Sequence, residues 1–522
     1  MNNTDHPLIR LEKVKKIPLD LISILLVGLV LRLVNIGFRA IWYDDAFSIL
    51  LARRNISEII IGTAADTMPP GYYLLLHFWG LISQEIWFLR LLNVLFSLIA
   101  IMVIYAIVKH LHDTKAGLVA GFLVAISPFQ IYHAQELRMY SILATALLFH
   151  LYIFILLIDD SRSFFSSRGL FIGFILSGVI ALYTHNLAVF SFTGLNLVLL
   201  FQKRWRHLLQ LFLAQIIMGL LFIPWLFLLP GQIQKIQTAF WTPKPGIIQI
   251  IQSVISILAT LPLPQTAIFV VAVLIALILT LLVLKLKATK NWDKHINTIF
   301  IIMISPPVLL FIVSWFMRPI YVPRAFILSG ILFYALTGLI VFLPRVDTKN
   351  TYDGNSFSSN KIDIPGKAVI ALLMVLSIIS IPYQYTYNLF PRSDFRSMIN
   401  IAEQACDQDC VIIHDNKLSY FPSKVYSPDS NQVFIMDEPM SHNDSLAELS
   451  QMAMDIYAQK NIETTVNNYS DIRFVVFDKA LQEYSAAGIS EHPKIKWLKD
   501  NFILSEIKQV GDLQVHYFVN TK

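Results

Sequence analysis

Two adjacent carboxylates stand in Arg39-Ala-Ile-Trp42-Tyr43-Asp44-Asp45-Ala-Phe-Ser48, just beyond an apolar run that ends near Phe38. Acids this close to hydrocarbon are costly unless they have a partner or a task. Such a pair can provide a general base for a hydroxyl or an amine, or half of a divalent-metal site. It can equally cap a helix, with Asp44 or Asp45 receiving free backbone amides ahead of the apolar run to Leu51. A third acid, Asp66, opens Asp66-Thr-Met-Pro69-Pro70-Gly71-Tyr72-Tyr73, where two prolines stiffen the chain before an aromatic, interfacial segment. His77 follows among Leu and Phe, a setting more usual for packing than for chemistry.

A second polar cluster, Tyr132-His133-Ala-Gln135-Glu136-Leu-Arg138-Met-Tyr140, packs an imidazole, a carboxylate, a guanidinium and two phenols between two apolar runs. Arg138 is suited to bidentate recognition of a phosphate, and pairing with Glu136 is the structural alternative. Arg318 and Arg324, in Arg318-Pro-Ile-Tyr321-Val-Pro-Arg324, form a further cationic stretch at the mouth of a helix, where an arginine can also serve as a headgroup anchor. Tyr183-Thr-His185-Asn186 adds polar groups at another turn.

The elements that must position these groups are membrane helices. Of 522 residues, 56% are hydrophobic and 15% charged, against roughly 25% charged in soluble domains. This excludes a soluble enzyme and a disordered chain. Apolar segments near 19–37, 86–108, 115–130, 140–158, 169–185, 187–201, 208–229, 266–285, 296–316, 325–343 and 367–386 predict about eleven spanning helices. Residues 72–83 and 247–261 are too short to span and read as interfacial or re-entrant. Basic residues before the first helix (Arg10, Lys13, Lys15, Lys16) and in the connections 109–115, 162–168, 203–207, 285–294 and 345–367 place those loops in the cytoplasm. The intervening loops, including the first at 38–85, then lie outside, and every polar cluster above falls on that side.

Residues 387–522 differ in composition, holding 12 Lys+Arg against 19 Asp+Glu, a net of −7, whereas the preceding part carries 29 against 16, a net of +13. Basic loops of this kind reflect insertion topology, not nucleic-acid binding. Short β-rich runs (411–414, 433–436, 473–477) alternate with helical stretches (393–405, 445–459), which predicts a small α/β domain outside the membrane. Its Cys406 and Cys410, the chain's two cysteines, either close a tight disulfide loop or remain free thiols. The one low-complexity tract is the polar loop 348–359.

Taken together, Trp42-Tyr43-Asp44-Asp45, Asp66-x-x-Pro69-Pro70-x-Tyr72, the 132–140 cluster and Tyr321-x-x-Arg324 resemble the GT-C superfamily of membrane glycosyltransferases. Within it, the residues are most similar to the PMT-like branch, glycosyltransferase family 39, which includes protein O-mannosyltransferases and aminoarabinose transferases. The resemblance covers most of residues 20–345, and the start of the tail, Pro391-Arg-Ser-Asp394-Phe-Arg396, resembles the juncture of bacterial relatives. It implies a transmembrane module at 1–386 followed by a C-terminal domain at 387–522. It also implies a polyprenyl-phosphate sugar donor, a glycan, lipid or protein acceptor, and inversion at the anomeric carbon. Asp44 matches the family's first acid, the implied general base, and Asp45 the second. Asp66 replaces the Glu that precedes the double proline in relatives, a departure that weighs against a metal held by Asp45 and Asp66. No cofactor is chemically required, and a divalent metal stays open as the alternative. Asp66, Tyr72, His133, Glu136, Arg138, Tyr140, His185, Tyr321 and Arg324 are the expected substrate-binding residues. A lipid-linked sugar flippase would instead need ionisable groups deep in the spans, where Arg32 and Arg90 are the main candidates. A non-catalytic scaffold would need no acidic loop.

Overall fold

The computed structural model describes residues 18–159, 165, 167–239, 242–289, 294–343, 362–437, 446–467 and 469–520. Five expected features lie wholly or partly outside these residues: the N-terminal basic cluster, most of the 162–168 and 345–367 loops, part of 285–294, and the polar tract 348–359. All eleven expected spanning segments are helical. Among the described residues six helices are long and apolar enough to cross a membrane, and two bent pairs, each taken as one span, raise the number to eight. The expected eleven exceeds this because Leu19–Leu33, Arg168–Thr184 and Ala188–Phe201 have only 15, 17 and 14 residues.

One bent pair matters for the site. Thr114–Ala125 and Pro128–Ala134 meet at 59°. Ser127 caps the second helix by accepting from Gln130 N, and Pro128 occupies its first turn, where the missing N–H costs nothing. The chain therefore turns at residues 126–127 instead of continuing as one span, and the first half of the expected loop 130–139 is helix. Residues 72–83 and 247–261 form the short helices Gly71–Gly80 and Ile247–Ala259. A Cβ at Gly71 would lie 2.5 Å from Tyr183 O, so glycine is what lets the first of these start against the turn that carries His185.

The deep arginines are structural. Arg32 donates to Ser97 Oγ and Ala125 O, each at 2.8 Å, and Arg90 to Ile36 O at 2.7 Å and Arg39 O at 2.8 Å. Each is fully buried with carbonyls around it and holds neighbouring helices and loops together.

The C-terminal part contains a five-stranded mixed sheet of order β2-β1-β3-β5-β4. The strands are β1 Cys410–His414, β2 Gln432–Phe434, β3 Asp471–Phe477, β4 Ile503–Val510 and β5 Leu513–Val519. β1 runs parallel to β2 and β3, and β5 antiparallel to β3 and β4. Alternation along the strands divides two cores: Ile412, Val475 and Val515 pack on helix Phe395–Ala402, and Val411, Ile413, Phe474 and Phe518 on Ile495 and Leu498. Cys406 and Cys410 form a disulfide. The expected helix 445–459 is shorter, Glu448–Met454, and residues 438–445 lie outside the described residues.

Packing does not break at residue 387. Phe421, Val425, Phe434, Ala453 and Met454 join the same apolar core as the helical bundle. The contacts fall on the first loop: Phe421 meets Tyr43 at 5.1 Å between rings, Ile41 N donates to Tyr426 OH at 3.1 Å, and Ser450 Oγ donates to Gly62 O at 3.1 Å.

Candidate active site

The Asp-Asp pair lies in the first turn of helix Tyr43–Ala52, where the helix dipole favours negative charge. Neither acid caps that helix, whose N-cap is Trp42 without a side-chain bond. The two have different surroundings. Asp44 Oδ2 lies 3.1 Å from Arg324 Nη1 and 3.9 Å from Arg138 Nε, and the residue lines a cavity of about 240 Å³. Asp45 is fully buried: its Oδ1 accepts from Leu137 N at 2.8 Å, and its Oδ2 lies 3.1 Å from Arg392 and 3.6 Å from Arg90. It does not line that cavity.

Around the cavity stand Asp66, Arg138, Tyr140, His185, Lys235, Arg324 and Lys417, with Tyr43, Met68 and Val322 among its apolar walls. Asp66 ends helix Ile56–Ala65 and pairs with Lys235 at 3.3 Å. Arg138 donates to Tyr73 OH at 3.1 Å. Burial alone would lower the Arg138 and Arg324 guanidiniums. Tyr73 and Asp44 around Arg138, and Tyr140 and Asp44 around Arg324, more than offset this and hold both above the ordinary range, fully charged. Burial, with Arg138 and Arg324 nearby, lowers the His185 imidazole to about 3. It is therefore neutral at physiological pH, and its Nδ1 accepts from Leu187 N at 3.1 Å.

His133 and Glu136 line a second cavity of about 270 Å³ that shares Arg324 with the first. Glu136 lies 2.6 Å from His133 Nδ1 and 2.9 Å from Arg392. Burial would raise its carboxyl, but His133 and Arg392 draw it down to about 2. The backbone of this loop is pinned by Asn93, whose amide donates to Glu136 O and to Arg138 O.

Two expected binding residues stand apart from both cavities. Tyr72 is fully buried beside Asn93, and it is the adjacent Tyr73 that reaches Arg138. Tyr321 packs on Phe326 at 4.9 Å between rings. His77 Nδ1 sits 2.8 Å from Ala52 O, as packing predicts. Arg318 does not line the cavity. Two site residues, Lys235 and Lys417, were absent from the sequence reading, and Arg392 entered it only as part of the 391–396 juncture, with no role. Each is a single cation far along the chain from the acidic loop.

The donor set fits an anion better than a metal. Among the described residues no group of three or more His, Cys, Asp or Glu comes together. The proposed ligand pair does not converge either, since Arg392, Arg90 and Leu137 N occupy Asp45 while Lys235 faces Asp66. Four cations, Arg138, Lys235, Arg324 and Lys417, line the first cavity against two acids, Asp44 and Asp66.

Residues 66–228 match the family described as dolichyl-phosphate-mannose-protein mannosyltransferase. No curated protein sequence matches. Among solved structures, the chain is similar to ArnT from Cupriavidus metallidurans bound to undecaprenyl phosphate, with a TM-score of 0.61 at 12% identity over 95% of this chain and 97% of that one. The apo state of the same ArnT gives 0.60 at 13% identity, with 95% and 97% covered. The oligosaccharyltransferase of Archaeoglobus fulgidus in its apo form gives 0.50 at 12% identity over 90% of this chain and 71% of that one. The chain thus shares the fold of ArnT and, over residues 66–228, matches the dolichyl-phosphate-mannose-protein mannosyltransferase family.

Proposed function

We propose that this integral membrane protein is an inverting glycosyltransferase that moves a sugar from a polyprenyl-phosphate donor to a glycan, lipid or protein acceptor on the outer face of the membrane. The observation that carries the reading is Asp44 set between Arg324 and Arg138 in a cavity whose lining cations outnumber its acids by four to two. The acceptor oxygen attacks C1 of the sugar and passes its proton to Asp44. The C1–O bond to phosphate breaks, and its electron pair goes to the phosphate oxygen. The donor phosphodiester carries one negative charge and the departing monoester up to two, so the excess of cations favours the leaving group over the ground state. Fixed charges of this kind are typically worth several kcal/mol of barrier. Asp44 pairs with Arg324. A donor phosphate that takes over the arginines frees the carboxylate to receive the proton. Asp45 acts indirectly by fixing the loop, and no step needs a metal.

A flippase is disfavoured because Arg32 and Arg90 are spent on carbonyls and Ser97 and present no charged path. The test is transfer of radiolabelled sugar from a panel of polyprenyl-phosphate hexoses and pentoses in membranes carrying the wild-type chain or Asp44→Asn, with and without chelator. Transfer that is lost in the variant and survives the chelator is the expected result. Equal transfer by both would remove Asp44 from the chemistry, and donor moved across the bilayer without transfer would favour the flippase.

A further inference from the structure

Arg392 lines neither of the two cavities described above, yet it touches both loops that build them. Its side chain is 2% exposed. One arm of the guanidinium donates to Asp45 Oδ2 at 3.1 Å and to Ala40 O at 2.9 Å, and the other to Glu136 Oε1 at 2.9 Å. Trp42 and Tyr132 flank it, with ring centroids at 5.5 and 5.3 Å. Asp45 is the neighbour of Asp44, and Glu136 stands two residues before Arg138.

The backbone that carries Arg392 belongs to the C-terminal domain. Phe390 N donates to Asp512 Oδ2 at 2.7 Å, and Asp394 caps helix Phe395–Ala402, accepting from Ser397 N at 3.0 Å. That helix packs on the sheet through Phe395, Met398 and Ile399. One side chain therefore links the sheet domain to the acid-bearing loop and the arginine-bearing loop at once. Reaching two carboxylates and a carbonyl needs the planar, multi-donor fork of arginine, which the single ammonium of lysine cannot reproduce.

We propose that Arg392 is a positioning residue: by bridging Asp45 and Glu136 it sets the spacing between Asp44 and Arg138, and so makes the C-terminal domain part of the transfer machinery. The inference rests on the glycosyl-transfer reading above. Misplacing reacting groups by about 1 Å costs roughly 100-fold in rate, so the bridge should appear in kcat. Arg138 meets more negative charge on the departing phosphate than on the bound donor, so its misplacement should lower kcat far more than it raises the donor KM.

The bridge also has a proton signature. Glu136 is faced by His133 and Tyr132 from helix Pro128–Ala134, by Arg39, by Arg324 and Tyr140 across the cavity, and by Arg392. Without Arg392 the buried carboxyl takes up a proton at higher pH than in the wild type. The acid limb of the activity profile then moves upward, and the unfolding midpoint followed over the same pH range separates this from a general loosening of the fold, which would also cost activity in acid.

The experiment compares the full-length wild type, Arg392→Gln and Arg392→Lys in detergent, using whichever polyprenyl-phosphate sugar of the panel the wild type turns over. Arg392→Gln should lower kcat about 100-fold with donor KM within about threefold and the acid limb shifted upward, and Arg392→Lys should fall between it and the wild type. Wild-type kcat and pH profile in either folded variant would overturn the proposal, as would a loss confined to KM. If Arg392→Gln fails to fold, Arg392→Lys decides by the same criteria. A wild type inert on the whole panel would instead refute the functional reading itself, so the two failures are distinguishable.

Discussion

Asp44 and Asp45 are neighbours in sequence, and the structure predicts opposite consequences for removing their charges. Asp45→Asn keeps an oxygen for the Leu137 amide but leaves Arg392 and Arg90, at 3.1 and 3.6 Å and almost wholly buried, without their shared counter-charge. Breaking a buried ion pair from one side typically costs about 3–5 kcal/mol. Asp44 and Arg324 are 19% and 25% exposed, so water screens part of their attraction and the pair contributes less to stability than the fully buried one. Asp45→Asn should therefore lower the thermal unfolding midpoint in detergent clearly, with activity falling as the loop loosens. Asp44→Asn should abolish transfer at a midpoint near that of the wild type. The assay is thermal unfolding on both variants beside the transfer measurement. Equal destabilisation by the two, or an Asp45→Asn chain as stable as the wild type, would refute the division of roles.

The cavity cations make a binding prediction: Lys235→Met should raise donor KM about tenfold, equivalent to ~1.4 kcal/mol, with kcat nearly kept, and an unchanged KM would place the phosphate elsewhere. A pH prediction follows from two buried imidazoles, His185 and His414, which burial lowers to about 3. Below the ordinary histidine value of about 6.5 the unfolded chain takes up protons that the folded chain refuses. Their contribution to stability is thus full above about pH 6.5 and is lost as pH falls toward 3, at about 1.4 kcal/mol per pH unit for each. His414→Gln, away from the cavity, should flatten the fall in unfolding midpoint between pH 6.5 and 4.5, and an unchanged slope would contradict the burial argument.

Local chemistry was legible where it left a local pattern. The Asp-Asp loop, the Pro-Pro-Gly segment and the 132–140 cluster converge on one region, as their density beside apolar sequence implied, and Asp44, Asp66, Arg138, Tyr140, His185 and Arg324 line one cavity. Helix breaks were harder to read. Ser127-Pro128 carries a cap residue and a first-turn proline, but mean hydropathy over 115–130 hides both, so a bent pair read as one span. β4 escaped because Ile503–Val510 is an edge strand interleaved with Glu506, Lys508 and Gln509, which reads as polar surface. Lys235 and Lys417 left no signature, and Arg392 showed only as part of the 391–396 juncture. A lone cation in a polar stretch is ordinary, and what distinguishes these three is tertiary contact, which for Arg392 reaches Ala40, 352 positions away.

The same geometry explains why sequence neighbours cannot share a role here. Successive residues on a helix point about 100° apart. Once helix Tyr43–Ala52 directs Asp44 toward Arg324 and the cavity, Asp45 must turn toward the interior, where Leu137 N, Arg90 and Arg392 receive it. Helix Gly71–Gly80 repeats the pattern, sending Tyr73 to Arg138 and Tyr72 to Asn93. On the proposed reading, this acidic pair supplies one carboxylate for the chemistry and one for the scaffold. The scaffold acid meets two buried cations, Arg90 and Arg392, and on the same reading Arg392 ties the chain beyond residue 387 to the reaction centre.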